Sequence, residues 1–428
     1  MLALLRLKDR LFYGWVVVIA CFIINAIIFG ISYSFGVFFK SLEGEFGLTR
    51  GATSGVFSAY MLLYCVFSIL GGWALDRYGP RIITLFMGLF TGLSLLLTSQ
   101  ASASWQLFIS YGLLLAMGTG ATYMVIMGTV SRWFDKKRGL ALGIAGSGVG
   151  LGMLLIAPFA TYLISSFGWR TAYILIGLIA WLIVIPLSRL LRKNPSEIGA
   201  LPDGRRSGSG EMGTEEPSRG VSTQLAGFSL AQASRTSNFW LFGSVWLLYS
   251  FCYLLVLTHI VPHATDIGIP AMEAAAVLSL IGGSNIAGRL LMGRVSDSIG
   301  RKATATSCAL LVAGSMIWLI WSQDLWMLYL FGIVCGFSFG GLDPAVTALL
   351  GDTFGLRSIG VIMGALNVAW GIGAAVGPAM GGLVFDVSGS YSVAFAAGAL
   401  AALTAALLVA LIRWETRGVF SRGLGKRK

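Results

Sequence analysis

The sequence predicts an all-α membrane protein, with twelve transmembrane helices arranged as two pseudo-symmetric six-helix bundles. Three observations predict it. The 428 residues are 56% hydrophobic and only 11% charged, against roughly 25% charged in an ordinary soluble domain. Continuous apolar runs of the length that crosses a bilayer, about 20 residues, recur twelve times along the chain. The second half also repeats landmarks of the first at an offset near 221 residues.

Composition excludes several classes. A soluble chain of this length would split into two or three domains with polar surfaces, and too few polar residues are present to cover them. This rules out a cytosolic enzyme or a secreted protein. Disorder requires low hydrophobicity, and a transmembrane barrel requires alternating apolar and polar positions; these runs are continuously apolar. The 57 glycines show no triplet period, which excludes collagen. Cys21, Cys65, Cys252, Cys308 and Cys335 all lie inside apolar runs without a C-x-x-C pair. They read as small hydrophobes in helix packing.

The twelve runs are 13–36, 54–75, 82–99, 105–130, 139–163, 170–190, 239–262, 273–294, 303–321, 326–350, 358–383 and 391–412, taken here as spans 1 to 12. The first is too long for a cleavable signal and a second span follows closely. With twelve spans both termini share one side, and that side holds 26 of the 30 Lys and Arg residues. The other side holds Lys40, Arg50 and Arg170, and Arg289 lies within a span. Such an asymmetry marks the basic side as cytoplasmic. The expectation is an integral protein of the cytoplasmic (inner) membrane with both termini inside. The net charge of +12 then faces anionic lipid and implies no nucleic-acid partner.

Residues 1–190 form the first expected bundle, 191–237 a cytoplasmic linker, and 238–428 the second bundle with its basic tail. The linker contains GRRSGSGEMGTEEPSRG, a flexible composition, and its end, SLAQASRTSNFW, suits a short interfacial helix.

The repeat is clearest after spans 2 and 8. In GGWALDRYGPR and MGRVSDSIGRK, Gly72, Asp76 and Gly79 map onto Gly293, Asp297 and Gly300. Spans 5 and 11 repeat as well: Arg138 maps near Arg357, Pro158 near Pro378, and FGW at 167–169 onto SGS at 388–390. Parallel six-span repeats are a transporter design with substrate between the halves near mid-membrane. The two loops suggest a charged latch in which glycine lets helix ends approach and Asp76, Arg77, Arg81, Asp297 and Arg301 pair as the halves rock. The alternative is a plain basic loop.

The double loop motif, the twelve spans and the central linker resemble the major facilitator superfamily over the whole chain. Within it, YSFGVFFKSLEGEFGLTRG (33–51), SRWFDKKRGLALGIAGSGVG (131–150) and AAVGPAMGGLVFDVSGSY (374–391) are similar to the monocarboxylate-porter branch. That branch includes monocarboxylate transporters and oxalate/formate-antiporter-like proteins.

Ionisable residues at membrane depth are functional candidates by default. Arg289, about two turns before the cytoplasmic end of span 8, offers a planar fork that fits a carboxylate bidentately. The alternative is a structural arginine that pairs with a carbonyl or snorkels. The resemblance implies the first, since monocarboxylate porters use a span-8 arginine on the substrate carboxylate. Asn285 lies one turn earlier on the same face; animal relatives tend to carry there an aspartate that takes the proton. Asp343, followed by Pro344, is positioned either to pair with Arg289 and titrate or to form a fixed ion pair at a kink. His259 and His263 end span 7, with Asp266 after them. His259 suits a proton relay or substrate contact, and the bland reading is a polar interfacial cluster. A metal at their i, i+4 spacing is not expected, because Pro262 intervenes and no further ligand is evident.

Tyr123, Tyr33, Asn25 and Asn367 are polar groups at depth, suited either to a cavity or to helix–helix hydrogen bonds. The resemblance implies a cavity lined by spans 1, 4, 7 and 10, which favours Tyr123. Tyr33 stands where animal relatives carry a span-1 lysine. The glycines of span 5 (Gly146, Gly148, Gly150, Gly152) and span 11 (Gly373, Gly377, Gly381, Gly382) suit close helix contact. Trp15, Trp105, Trp169, Trp240 and Trp326 suit an interfacial belt.

The expected function is secondary transport of a small monocarboxylate, lactate- or pyruvate-like, by proton symport; the alternative is an oxalate/formate-type anion exchanger. A dicarboxylate favours two buried cations, and away from span edges, where Arg170, Arg189 and Arg294 lie, the spans carry Arg289 alone. A non-transporting sensor lacks an appended signalling domain. No enzyme is expected, since neither nucleophile–base constellations nor the G-x-x-x-x-G-K-[ST] phosphate loop occurs. No cofactor and no metal are expected. The expected partners are a small carboxylate, protons and membrane lipid.

Overall fold

The structure, a computed structural model, describes residues 12–134, 137–198, 227–355 and 359–412, with the backbone alone at Asp76, Arg138 and Asp297. Among the described residues it is almost entirely helical. Span 1 is Tyr13–Tyr33 continued by Phe35–Phe46, ten residues longer than its apolar run. Arg50–Ser99 carries spans 2 and 3. Span 4 is assembled from Ser104–Leu107, a π-helical turn Phe108–Leu114, Leu115–Thr119 and Thr122–Trp133. Arg138–Ser188 carries spans 5 and 6. Spans 7 to 12 are Ser237–Asp266, Ala271–Ile299, Arg301–Ile320, Leu325–Phe354, Ile359–Ser388 and Ser392–Leu411.

Two of these helices are too long for one crossing. Fifty residues at about 1.5 Å each far exceed a hydrocarbon core of about 30 Å. Each is broken at a glycine with left-handed φ: Gly79 at 78° and Gly168 at 81°. Pro80 then opens span 3, where its missing N–H costs nothing. Counting the breaks restores twelve crossings.

The internal repeat is written in the backbone. Among the described residues, six of the seven positive-φ glycines form pairs 221 residues apart: Gly47 with Gly268, Gly79 with Gly300, and Gly168 with Gly389; Gly355 has no counterpart. Each pair reverses the chain at the same place in each half. Only glycine adopts this geometry without steric cost.

The glycine stripes explain how the halves meet. Gly139, Gly143, Gly146 and Gly150 share one face of span 5, and Gly360, Gly364, Gly371 and Gly382 share one face of span 11. At one end and at mid-depth they touch the opposite half. A Cβ on Gly150 would lie 2.5 Å from the Gly282 carbonyl, one on Gly371 2.7 Å from Cys65, and one on Gly382 2.2 Å from the Ser54 hydroxyl. Toward the basic end, a Cβ on Gly139, Gly143, Gly360 or Gly364 would meet no described atom within 4 Å. The halves are therefore closed at the face opposite the basic one and apart at the basic face.

One expectation is corrected, for the belt, and one open alternative is decided, for Asn25. Trp169 is only 9% exposed and packs on Phe46 and Tyr173, and Trp15 stacks edge-on against Phe134. Trp169 is a packing residue rather than belt and Trp15 is half-buried, whereas Trp105, Trp240 and Trp326 are exposed. Asn25 donates 2.9 Å to the Ala145 carbonyl, so it ties span 1 to span 5 and does not face a cavity. Of the linker, residues 199–226 lie outside the described residues. Its end does form a short helix, Leu230–Ala233, started by a Ser229–Gln232 capping box.

Leucine at Gly364 should leave the thermal melting of the purified protein within a degree or two, because the site is open in this state, yet should stop turnover by blocking closure of the basic face. Gly282→Leu should instead lower the melting temperature, since overpacking a closed contact costs roughly 1–3 kcal/mol. Equal transport by parent and Gly364→Leu chains would refute the stripe as a closing surface.

Candidate functional site

Spans 8 and 10 are zipped backbone to backbone. A Cβ on Gly288 would lie 2.0 Å from the Phe337 carbonyl, and one on Gly340 2.2 Å from the Asn285 carbonyl. Side chains on the flanking turns are therefore forced together. Arg289 on span 8 donates from Nη2 to Oδ2 of Asp343 on span 10 at 3.0 Å. The arginine side chain is 21% exposed and the aspartate 36%, so the pair is open on one side. The Arg289 Nε is buried and has no partner among the described residues. The arginine's hydrogen bond to Asp343 uses Nη2 alone, so the guanidinium can still donate from Nη1 to a second carboxylate.

Phenols surround this pair. Tyr123 of span 4 and Tyr249 and Tyr253 of span 7 are near enough to interact electrostatically with it. Tyr123 is 41% exposed and comes from the first half, as does Gly146, whose Cβ position is 3.3 Å from Arg289 Nη1. The site therefore lies between the halves, on the open side. Above it an aromatic layer crosses the interface: Tyr33 meets Tyr253 edge-on at 5.8 Å, and Tyr64 meets Trp370 at 6.2 Å.

Of the remaining sequence-derived candidates, Tyr33 is buried in this layer beside Phe29. Asn285 is 5% exposed, one turn from Arg289. Asn367 is half-buried and its carbonyl accepts from the Cys65 thiol. His259 is placed elsewhere, six residues or about 9 Å beyond Tyr253 along span 7. It is fully buried. Its Nε2 is 2.8 Å from the Pro378 carbonyl, an acceptor only, so Nε2 carries the hydrogen. Nδ1 then accepts from the Tyr391 hydroxyl at 3.3 Å. Both ring nitrogens are occupied in this state, leaving neither for a substrate.

That histidine belongs to a charged cluster closing the other end. Arg50, at the start of span 2, donates from Nη1 and Nη2 to the Asp266 carboxylate at the end of span 7. It also donates to the Tyr391 hydroxyl at 2.8 Å and stacks on Phe385 at 3.8 Å. Lys40 reaches Asp266 at 2.7 Å. Asp386 of span 11 accepts from the backbone N–H groups of Arg50 and Gly51, both at 2.8 Å. It thus caps span 2 from the opposite half, a favourable place for a carboxylate.

At the basic end, Arg301 pairs with Asp352 and with the Ala348 carbonyl, a contact within the second half. Arg77 lies over Trp73 and Tyr78, and Arg81 lines a pocket with it. The side chains of Asp76 and Asp297 lie outside the described residues. Sequence reasoning missed Tyr64, Tyr249, Tyr253 and the Arg50 cluster. The signals were available: Arg50 is one of three cations on the sparsely charged side, and Tyr249 and Tyr253 share one face of span 7 at i, i+4.

The family profile described as Major Facilitator Superfamily matches residues 21–303 and 264–428. The chain belongs to this superfamily. Among curated relatives, monocarboxylate transporter 13 of Bos taurus is 28% identical over 93% of this chain and 89% of its own length. Monocarboxylate transporter 11 of Homo sapiens is 26% identical over 90% of this chain and 79% of its own. The similarity is thus to the monocarboxylate-porter branch. Among solved structures, a bacterial homologue of the human lysosomal transporter Spinster, inward-facing and unoccupied, superposes with a TM-score of 0.69 at 15% identity, covering 94% of this chain and 95% of that one. It shares the major facilitator fold; the superfamily match and the curated relatives make this chain an integral membrane transporter.

Neutralising Arg50 as Arg50→Gln removes a bidentate, mostly buried bond between the halves, and should open the closed face. A cysteine placed at Thr258, which is 1% exposed, should then react with an impermeant maleimide at least about tenfold faster, since removing one partner of a buried pair costs well over the 1.4 kcal/mol of a tenfold change. An unchanged labelling rate would remove the cluster as the closing bond.

Proposed function

We propose that this protein carries small monocarboxylates of the lactate or pyruvate kind across the cytoplasmic membrane by proton symport and alternating access, with its basic face toward the cytoplasm. The observation that carries the reading is the Arg289–Asp343 pair, open to the gap between the halves, with only Nη2 of the guanidinium engaged. Names of the relatives support the substrate class, and the concentration of Lys and Arg on one face supports the orientation.

The cycle follows from the cost of charge. A carboxylate entering a low-dielectric gap must be offset, and Arg289 offsets it. In the empty carrier Asp343 neutralises Arg289. When the substrate carboxylate takes the fork, an unpaired Asp343 in that site is relieved by binding a proton. One proton then accompanies one carboxylate and the loaded site stays neutral. Tyr123, Tyr249 and Tyr253 supply hydroxyls for the remaining substrate oxygens, while Tyr33, Tyr64 and Trp370 close the far side. Asn285 and Asn367 flank this space as supporting contacts. The latch residues of the basic face, Asp76, Arg77, Arg81, Asp297 and Arg301, would engage when that face closes. His259, with both nitrogens engaged, is assigned to the closed-end cluster, which leaves Asp343 as the proton carrier. Among the described residues Arg289 is the one cation of this site, matching one carboxylate; an oxalate exchanger would call for two.

Three variants in proteoliposomes test this. Arg289→Ala should abolish binding and uptake of labelled lactate. Arg289→Lys should cut uptake at least about tenfold despite the kept charge, because a point charge loses the fork. Asp343→Asn should abolish accumulation driven by an inward proton gradient while sparing lactate counterflow, which moves no net proton. Accumulation by Asp343→Asn together with its loss in His259→Gln would move the proton route to span 7. A reporter at the C-terminus should read cytoplasm; a signal from outside would reverse the orientation.

A further inference from the structure

The basic end of the first half contains a pocket outside the candidate substrate site. It has a volume of about 240 Å³ and lies between the span 2–3 turn and the exit of span 6. Arg77, Arg81, Arg192 and Lys193 line it, against one acid, Glu197. The three arginines around one small cavity repel each other, and an anion between them relieves this. Glu197 is partly committed, since its carboxylate accepts from the Lys193 backbone N–H at 3.2 Å.

The pocket is built rather than incidental. Gly79, at φ 78°, turns the chain so that Arg77 and Arg81 flank the same space. On the other wall, the span 6 exit is pinned from two helices. The Tyr13 hydroxyl donates to the Leu190 carbonyl at 3.0 Å, and the Trp133 indole N–H donates to the Arg192 carbonyl at 3.1 Å. The Arg192 Nε is buried with no partner among the described residues, a donor held in place without an acceptor. Such an orphan is costly, and an anion in the pocket offsets the charge of the guanidinium it belongs to.

The rim indicates the form the anion takes. Trp73, Tyr78 and Ile82 beside the pocket are 59%, 50% and 43% exposed. Trp73 and Tyr78 bracket the Arg77 guanidinium at 5.6 and 5.7 Å. Aromatic residues of this kind sit at headgroup level, and the exposed apolar surface continues down span 3 through Phe86. Phosphate in the pocket with acyl chains along this surface satisfies both parts. Basic pockets between transmembrane helices are suited to phospholipid headgroups. From this arrangement we propose that the pocket binds a phosphate-bearing anion delivered as the headgroup of an anionic phospholipid.

The test uses the full chain in detergent with mixed phosphatidylcholine and phosphatidylglycerol, counting retained lipid by native mass spectrometry. The wild-type chain should retain phosphatidylglycerol over phosphatidylcholine, and added inorganic phosphate should not displace it. The pair Arg192→Gln and Lys193→Gln, outside the latch, should lower that preference by about tenfold or more, as should Arg77→Gln with Arg81→Gln. Melting temperatures in phosphatidylcholine alone identify a variant that has lost its fold; the other pair then carries the result. Equal retention of the two lipids, or an unchanged preference in a folded variant, overturns the site. Displacement by inorganic phosphate overturns the lipid assignment.

Discussion

A charge inside an apolar medium must be matched, and matching requires another element to come close. The Arg289–Asp343 pair depends on this constraint. Neither group is tolerable alone at that depth, and the two meet only because Gly288 and Gly340 let spans 8 and 10 approach at backbone distance. Replace either glycine with a side chain and the helices separate by more than the 3.0 Å bond can follow. Close packing and electrostatics therefore act as one requirement here, and the candidate substrate site results from it.

The same coupling operates between the halves. At the closed end, Arg50, Lys40, Asp266, Asp386 and Tyr391 join spans 1, 2, 7 and 11 with span 12's entry, while the glycine stripes beneath them remove the side chains that would hold the halves apart. At the basic end the stripes continue but no described atom meets them within 4 Å. A surface shaped for contact and left uncovered, beside one that is covered, is the geometry of a two-state device. In this state the candidate site communicates with the basic face, and the aromatic layer of Tyr33, Tyr253, Tyr64 and Trp370 separates it from the charged cluster. His259 illustrates the separation: a histidine at membrane depth reads as a proton carrier, but its hydrogen bonds tie it to the cluster that closes the far face.

Much was legible in the sequence because apolar length, basic asymmetry and glycine position are local properties. The twelve runs needed only hydropathy and counting. The repeat needed only an offset, and the three positive-φ glycine pairs show why it survives: each marks a turn that only glycine makes at little cost. Arg289 and Asp343 stood out because ionisable residues are rare inside spans. Trp169 misled because an aromatic near a span end fits a belt and a packed corner equally well. Asn25 was open for a similar reason, since an amide at depth bonds to whatever backbone it faces.

The sequence by itself determined an all-helical membrane chain, its crossings, its two-fold internal repetition and the arginine at its centre, each fixed by the chemistry of neighbouring residues. Tertiary structure alone decided the pairings. Arg289 lies 54 positions from Asp343, Arg50 216 from Asp266 and Tyr33 220 from Tyr253. No local propensity specifies contacts at such separations. They arise when twelve helices are packed so that each buried charge meets a partner and each glycine face meets a backbone, and only then is it settled which polar groups face the gap and which serve to hold one end shut.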